Sequence, residues 1–324
     1  MNASINQARK RFLESDQEMQ DELMPIVDAH HHFWDVKNNP HHWLKNQPRI
    51  PFRYGDYEAI CCDFLPGDYS KAVQKHHVIR HVAMEGEWNP LDPVGEALWM
   101  HRLASKSGKP HAMSAQIWLD RNDLNQVLEA YAQEPLFGFV KSVRHKPRVT
   151  TRQEFKSNWS EPGSMRCGHW RNGYARLADH QLMFELQCPW WHLDEAIELA
   201  NDFPSTKIII NHAGLPATRD AETVATWSKA MGRISECQNV FVKISGLGVA
   251  GKAWTVEAHK PIVQTLIDQF GVDRCMFASN YPVDALVTNL DSIWSGFKQL
   301  SKRLNPTERL AIFCDTAVNV YQLK

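Results

Sequence analysis

No apolar run in this chain is long enough to span a bilayer, and residues 1–24, MNASINQARKRFLESDQEMQDELM, lack the apolar centre of a secretory signal. The seven cysteines, Cys61, Cys62, Cys167, Cys188, Cys237, Cys275 and Cys314, are scattered, odd in number and contain no C-x-x-C pair. That argues against a disulfide framework and a cysteine zinc site, and it fits the reducing cytoplasm. Charge of one sign is also missing: the formal net charge is -1, so no basic field draws nucleic acid or an acidic membrane surface. No G-x-G-x-x-G turn follows any apolar run, which speaks against a dinucleotide-binding doubly wound sheet. The partner left standing is a small molecule, and self-association of the chain is compatible with all of this.

Hydrophobic residues make up 43% of the 324 and charged ones 23%, the balance of a globular chain with a sizeable core. Past Pro25, short runs rich in Val, Ile, Phe and Met alternate with longer amphipathic segments. Eight such runs occur: PIVDAHHHF, VIRHVAMEGEW, HAMSAQIWLD, LFGFVKSVRH, LMFELQCPWW, KIIINHAG, VFVKISGLG and RCMFASNYPV. Between them lie helix-like segments such as LDPVGEALWMHRLASKSG and TVEAHKPIVQTLIDQFG, with a capping residue before and glycine after. Eight strands with intervening helices predict a (β/α)8 TIM barrel over 25–324, a single domain. Residues 1–24 precede it as an exposed helix or loose arm. Two irregular stretches, Trp34 to about Asp68 and Lys146 to about Cys167, should be loops at the same end of the barrel.

That end is where barrel active sites lie, and polar residues gather there run by run. His30 and His32 close the first run, Glu85 and Glu87 the second, Gln116 and Asp120 the third, and Arg144 and His145 the fourth. Gln187 and His192, Asn211 and His212, Ser245, and finally Asn280 and Asp284 follow. In an extended strand, residues two apart share a face with Cα atoms roughly 6.5–7 Å apart, so His30 and His32 should face the axis while His31 faces outward. Asp28, two residues earlier, would orient an imidazole from beneath. Two imidazoles so placed can grip one divalent cation or a substrate oxygen. An H-x-H pair by itself is often only packed polar side chains, but a separate His212 ends the sixth run, where an isolated imidazole has few structural reasons to sit.

The motifs DAHHHFW, VRH, NHAGLP and FASNYPVD, in this order and at these barrel positions, resemble the amidohydrolase-related barrel family that includes sugar-acid lactonases and 2-pyrone dicarboxylate lactonase. The resemblance runs from about Pro25 to the C-terminus. It implies a hydrolase of small cyclic esters, with His30 and His32 as the first-strand pair, His212 as the sixth-strand histidine, and Arg144 with His145 at the substrate-binding end of the fourth strand. The eighth strand departs from the pattern, carrying Asn280 where the family usually has aspartate. An amide cannot act as general base, so Asp284, four residues on, becomes the expected base.

Two routes stay open on these residues. His30, His32 and His212 could hold one zinc with an open position. Alternatively, lactone opening could proceed without metal, the carbonyl polarised by Arg144 and histidine donors, with His212 or His145 protonating the ring oxygen. Arg144 suits a substrate carboxylate, Glu85 could bond sugar hydroxyls, and Trp34 and Trp191, with Trp88, Trp118 and Trp190, fall where rings would wall a pocket. Lys141 could face the barrel interior in a buried ion pair. Related chemistries to be separated from lactone opening are a metal-dependent decarboxylation, an amide-ring hydrolysis, and ligand binding without turnover, for which Asn280 is the motive.

Overall fold

The computed structural model of the chain describes residues 3–324. Its centre is one sheet of eight parallel strands in sequence order: β1 (Ile26–His31), β2 (Val78–Met84), β3 (Ala112–Gln116), β4 (Val140–Arg144), β5 (Met183–Leu186), β6 (Ile208–Ile210), β7 (Val240–Ile244) and β8 (Cys275–Phe277). Each strand lies inside one of the eight apolar runs. The ring nearly closes, because Asn280 N–H donates to the His30 carbonyl (2.7 Å) and His32 N–H to the Tyr281 carbonyl (2.8 Å). Helices cover the outside, making a single-domain (β/α)8 barrel.

Local chemistry sets the element ends. Asp92 and Thr255 cap the helices Pro93–Ser107 and Val256–Phe270, accepting from Gly95 N–H and Ala258 N–H. Gly108, at φ 72°, ends the first of these in the left-handed conformation that glycine adopts without steric cost. Both long irregular stretches fall at the C-terminal ends of the strands, after β1 and β4. No helix among the described residues is long and apolar enough to cross a membrane.

Two sequence expectations change, and one becomes definite. Ahead of the barrel, helix Ala3–Leu13 is largely exposed but buries Ile5, Ala8 and Phe12, spaced three and four apart on one face. Arg9 pairs with Asp315 and Arg309 with Asp21, tying the segment to the C-terminal helices. Asp28 does not orient an imidazole. A register shift between Asp28 and His31 inserts a residue into β1, and the Asp28 carboxylate accepts from Tyr69 OH (2.6 Å), Ser279 Oγ (2.6 Å), and the backbone N–H of Ser279 and His30. Lys141 is only partly buried and turns away from the axis, since Ser142 and Arg144 take the inward positions of β4.

The buried interior lysine is Lys243 on β7. Its Nζ pairs with Glu185 of β5 at 2.8 Å, both side chains fully buried. Glu185 also accepts from Tyr321 OH (2.5 Å) and Asn211 Nδ2 (2.6 Å). Burial lowers the Lys243 ammonium to about 8, with Glu185 opposing that shift.

Outside β1, His31 packs on Tyr69 and His81, with ring centroids 4.9 and 5.4 Å away, and His81 stacks on His111 at 5.6 Å. Burial lowers His31 to about 3 and His111 to about 4, and holds His81 well below the usual range. These rings are neutral in the folded chain but protonate in the unfolded one below about pH 6.5, so stability is complete above that pH and falls as pH drops towards the folded values. Urea unfolding at pH 7 and pH 5 should show a loss of about 2 kcal/mol for each of His31 and His81. A His31→Phe variant should flatten the slope; an unchanged slope would show that other groups govern it.

Candidate active site

A cavity of about 270 Å³ opens at the C-terminal ends of the strands, its wall including His32, Trp34, Arg53, Arg144, His212 and Asn280. His30 forms a buried layer against two of these: its ring centroid lies 5.2 Å from His32 and 4.5 Å from His212. The alternation along the end of β1 thus brings His30 and His32 together as the spacing predicts, and β6 delivers the third imidazole.

Two of the rings are anchored by one nitrogen. His32 Nδ1 donates to the Glu85 carbonyl at 3.0 Å, which fixes its tautomer and leaves Nε2 as an unpaired acceptor. His212 Nδ1 lies 3.0 Å from Ser245 Oγ, and its Nε2 is likewise free. Neither nitrogen of the buried His30 has a hydrogen-bond partner. Burial lowers all three well below the ordinary imidazole value. Neighbouring groups that would repel a proton add to that effect, with His212 largest for His30, Arg144 for His32 and Arg53 for His212. All three are neutral bases at neutral pH.

His212 sits in an unusual segment. His212, Ala213, Gly214 and Leu215 all have positive φ, at 52°, 56°, 68° and 57°. Each non-glycine residue held this way costs about 1–3 kcal/mol, so the surroundings must impose it. Trp227 Nε1 holds the Ala213 carbonyl at 2.8 Å, and Gly214 N–H donates to the Asn211 carbonyl at 3.1 Å.

Asn280, at φ 55°, gives its Nδ2 to Asp284 Oδ1 at 2.7 Å. The same carboxylate oxygen accepts from Tyr54 OH at 2.9 Å and lies 3.5 Å from Arg53 Nη2. Asp284 is buried and is absent from the cavity wall, so the structure places it behind Asn280. That arrangement corrects the expectation of Asp284 as the base: Asn280 stands between its carboxylate and the cavity. Burial raises its pKa, with Arg53, Asn280 and Tyr54 opposing the rise.

Arg144 faces the cavity, gripped by Glu85: Nε to the carboxylate at 2.5 Å and Nη2 to the backbone carbonyl at 2.9 Å. Its Nη1 donates to Gln187 Oε1 at 3.2 Å. Glu85 is therefore the partner that orients Arg144. At the rim, Lys146 pairs with Glu87.

Two expected substrate contacts are elsewhere. His145 turns outward, as strict alternation after Arg144 requires, and its Nδ1 accepts from Leu119 N–H (3.1 Å) and Trp170 Nε1 (3.0 Å). Trp191 lines a different cavity, its Nε1 donating to the Thr150 carbonyl at 2.9 Å. The residues missed from sequence are Arg53, Trp43, Phe52 and Lys146, all outside the strands. For Arg53, Trp43 and Phe52 the signal was the density of aromatic and basic residues in the stretch after β1; Lys146 follows β4 and had none.

His30, His32 and His212 are the residues that would hold a zinc. Among the described residues, no three His, Cys, Asp or Glu side chains are arranged to hold a metal ion. The imidazoles converge, but the acids are engaged, Glu85 by Arg144 and Asp284 by Asn280 and Tyr54, and the eighth strand offers an amide in place of a carboxylate. The residues present do not fit as a ready-made chelate.

Gly246, at φ 57°, closes the site from β7. A Cβ there would lie 2.6 Å from His212 Nδ1 and 2.7 Å from Arg53 Nη2. Gly246→Ala should lower kcat/KM about 10²-fold by displacing His212. Steady-state kinetics beside a thermal melt checks this, and full activity would mean His212 need not hold its place.

A parallel barrel that gathers neutral imidazoles and an oriented arginine around a cavity at its strand ends has the build of an enzyme with its active site at the C-terminal face. The chain belongs to the amidohydrolase family, whose model matches residues 27–323. It is 35% identical over 298 residues to the uncharacterized protein y4mH of Sinorhizobium fredii, covering 92% of this chain and 98% of that one. It is 23% identical over 302 residues to an L-fucono-1,5-lactonase of Burkholderia ambifaria, covering 92% and 95%. Among solved structures, an amidohydrolase from Burkholderia multivorans with bound zinc superposes with a TM-score of 0.75 at 19% identity, covering 92% of this chain and 99% of that one. At that identity the likeness shows the shared fold.

Proposed function

We propose that this amidohydrolase-family enzyme opens a small anionic lactone by addition of water. The observation that carries the reading is that neutral His32 and His212 share the wall of one small cavity with Arg144 and Arg53, while buried His30 packs against both imidazoles. The volume, about 270 Å³, is near the lower end for ligand sites and suits a single ring. Arg53 and Arg144 favour a substrate carrying a carboxylate or a developing oxyanion.

In this reading His212 Nε2 takes a proton from water as the oxygen adds to the ester carbonyl. Arg144 stabilises the negative charge that forms on the carbonyl oxygen. The carbon–oxygen bond of the ring then breaks, and the imidazolium of His212 returns its proton to the departing oxygen, giving a hydroxy acid. Asp284 acts as a positioning residue through Asn280, Tyr54 and Arg53.

The test is hydrolysis of a panel of sugar-acid and carboxylated lactones, followed by acid release, before and after treatment with a chelator, with metal content measured on the same preparation. Opening of at least one anionic lactone supports the reading. Carbon dioxide release from an aromatic acid without lactone opening would replace it with decarboxylation, opening of an amide ring alone would replace it with that hydrolysis, and binding without turnover would mean the barrel only holds its ligand. Loss of lactone opening on chelation, restored by zinc, would overturn the metal-free route drawn here.

A further inference from the structure

The catalytic cavity has a larger neighbour of about 660 Å³, lined by the loops after β4, β5, β6 and β7 and so opening on the same face of the barrel. Arg53 belongs to both walls. Gly246 lines the larger cavity and leaves room for His212 and Arg53, which any Cβ there would strike, and the left-handed segment that turns His212 into the catalytic cavity ends in Leu215, on the wall of the second. Arg53 is thus the side chain the two hollows share.

The second cavity has a chemistry of its own. Trp190 and Trp191 present indoles there, and the Trp191 ring is fixed by its bond to the Thr150 carbonyl. Arg152, exposed at the mouth, lies over Trp190 at 4.8 Å and donates to Thr223 Oγ1 at 3.3 Å; Asp220 feels its charge, but no carboxylate forms an ion pair with it among the described residues. Stacking surface beside a guanidinium that no carboxylate grips directly fits a planar group that ends in a carboxylate.

We propose that the second cavity binds the remainder of an elongated substrate: a planar, apolar substituent bearing a carboxylate, attached to the ester ring that the histidines open. This rests on the lactone reading and deepens it. The bond broken is the same; Arg53, between the two hollows, contacts the substrate where ring and substituent join. A site that served the ring alone would have no use for a cavity more than twice the volume of the first, walled by indoles and supplied with the Arg152 guanidinium.

The test separates binding from turnover. Titration of 2-naphthoate, followed by tryptophan fluorescence and by calorimetry, should show binding to the native chain that weakens at least about tenfold in Arg152→Gln, the loss expected for one charge-assisted hydrogen bond. Ala217→Phe, which fills the second cavity from an exposed loop position, should abolish it. His212→Asn should leave it unchanged. For a lactone with a carboxyaryl substituent, Arg152→Gln should lower kcat/KM about tenfold more than for the unsubstituted lactone. Naphthoate affinity indifferent to both Arg152→Gln and Ala217→Phe, or equal losses on the long and short lactones, would overturn the proposal. If no lactone is opened at all, the ring chemistry fails while the naphthoate result still decides the second cavity.

Discussion

His212→Asn is expected to lower kcat for lactone opening by about 10²–10⁴-fold, the range for losing a general base, with KM little changed. Asparagine is the informative replacement because it tolerates positive φ better than most residues, and His212 stands at φ 52°. The second readout is the pH profile. Burial holds the His212 imidazole well below its ordinary value, so the native enzyme should keep its rate down to pH values below about 6.5 and lose it as the ring takes a proton. In the variant that acid limb should vanish with the activity. A variant as active as the native enzyme, with the same acid limb, would move the role of base to His30 or His32.

The largest expected effect on stability comes from the barrel interior. Glu185→Gln removes the countercharge of Lys243, whose Nζ otherwise meets, among the described residues, the Met84 sulfur at 3.3 Å and the Tyr321 ring at 5.3 Å. Stripping one partner from a buried pair costs about 3–5 kcal/mol, because the remaining charge can neither reach water nor meet another countercharge. The double variant Glu185→Gln/Lys243→Met should recover at least half of that loss, since no charge is left stranded. Urea unfolding of the native chain and of the single and double variants measures both numbers. A single variant within about 0.5 kcal/mol of the native protein would show that the pair is not holding the interior.

Much of this was legible in the sequence, for definite reasons. The eight strands could be read because each is a short β-branched or apolar run between capped helices, and the meeting of His30 with His32 followed from a period of two. The same period should have separated Arg144 from His145: one neighbour facing the axis forces the next outward, and a shared motif concealed that. The place of Asp28 could not be read, because an inserted residue in β1 changes its direction without leaving a mark in the pattern. Arg53 was hidden for another reason. It lies on an irregular stretch, where no periodicity tells which side chain turns inward, and only the fold brings it across to Asp284 and His212.

The bonds that close the barrel between β8 and β1 are made by the backbones of His30, His32, Asn280 and Tyr281, so the clasp of the ring and the reacting layer are one structure. Whatever loosens that clasp scatters the imidazoles at the same instant. Catalytic rate is therefore a gauge of whether the cylinder is shut, and harm at this juncture should register in turnover as soon as it registers in the integrity of the ring.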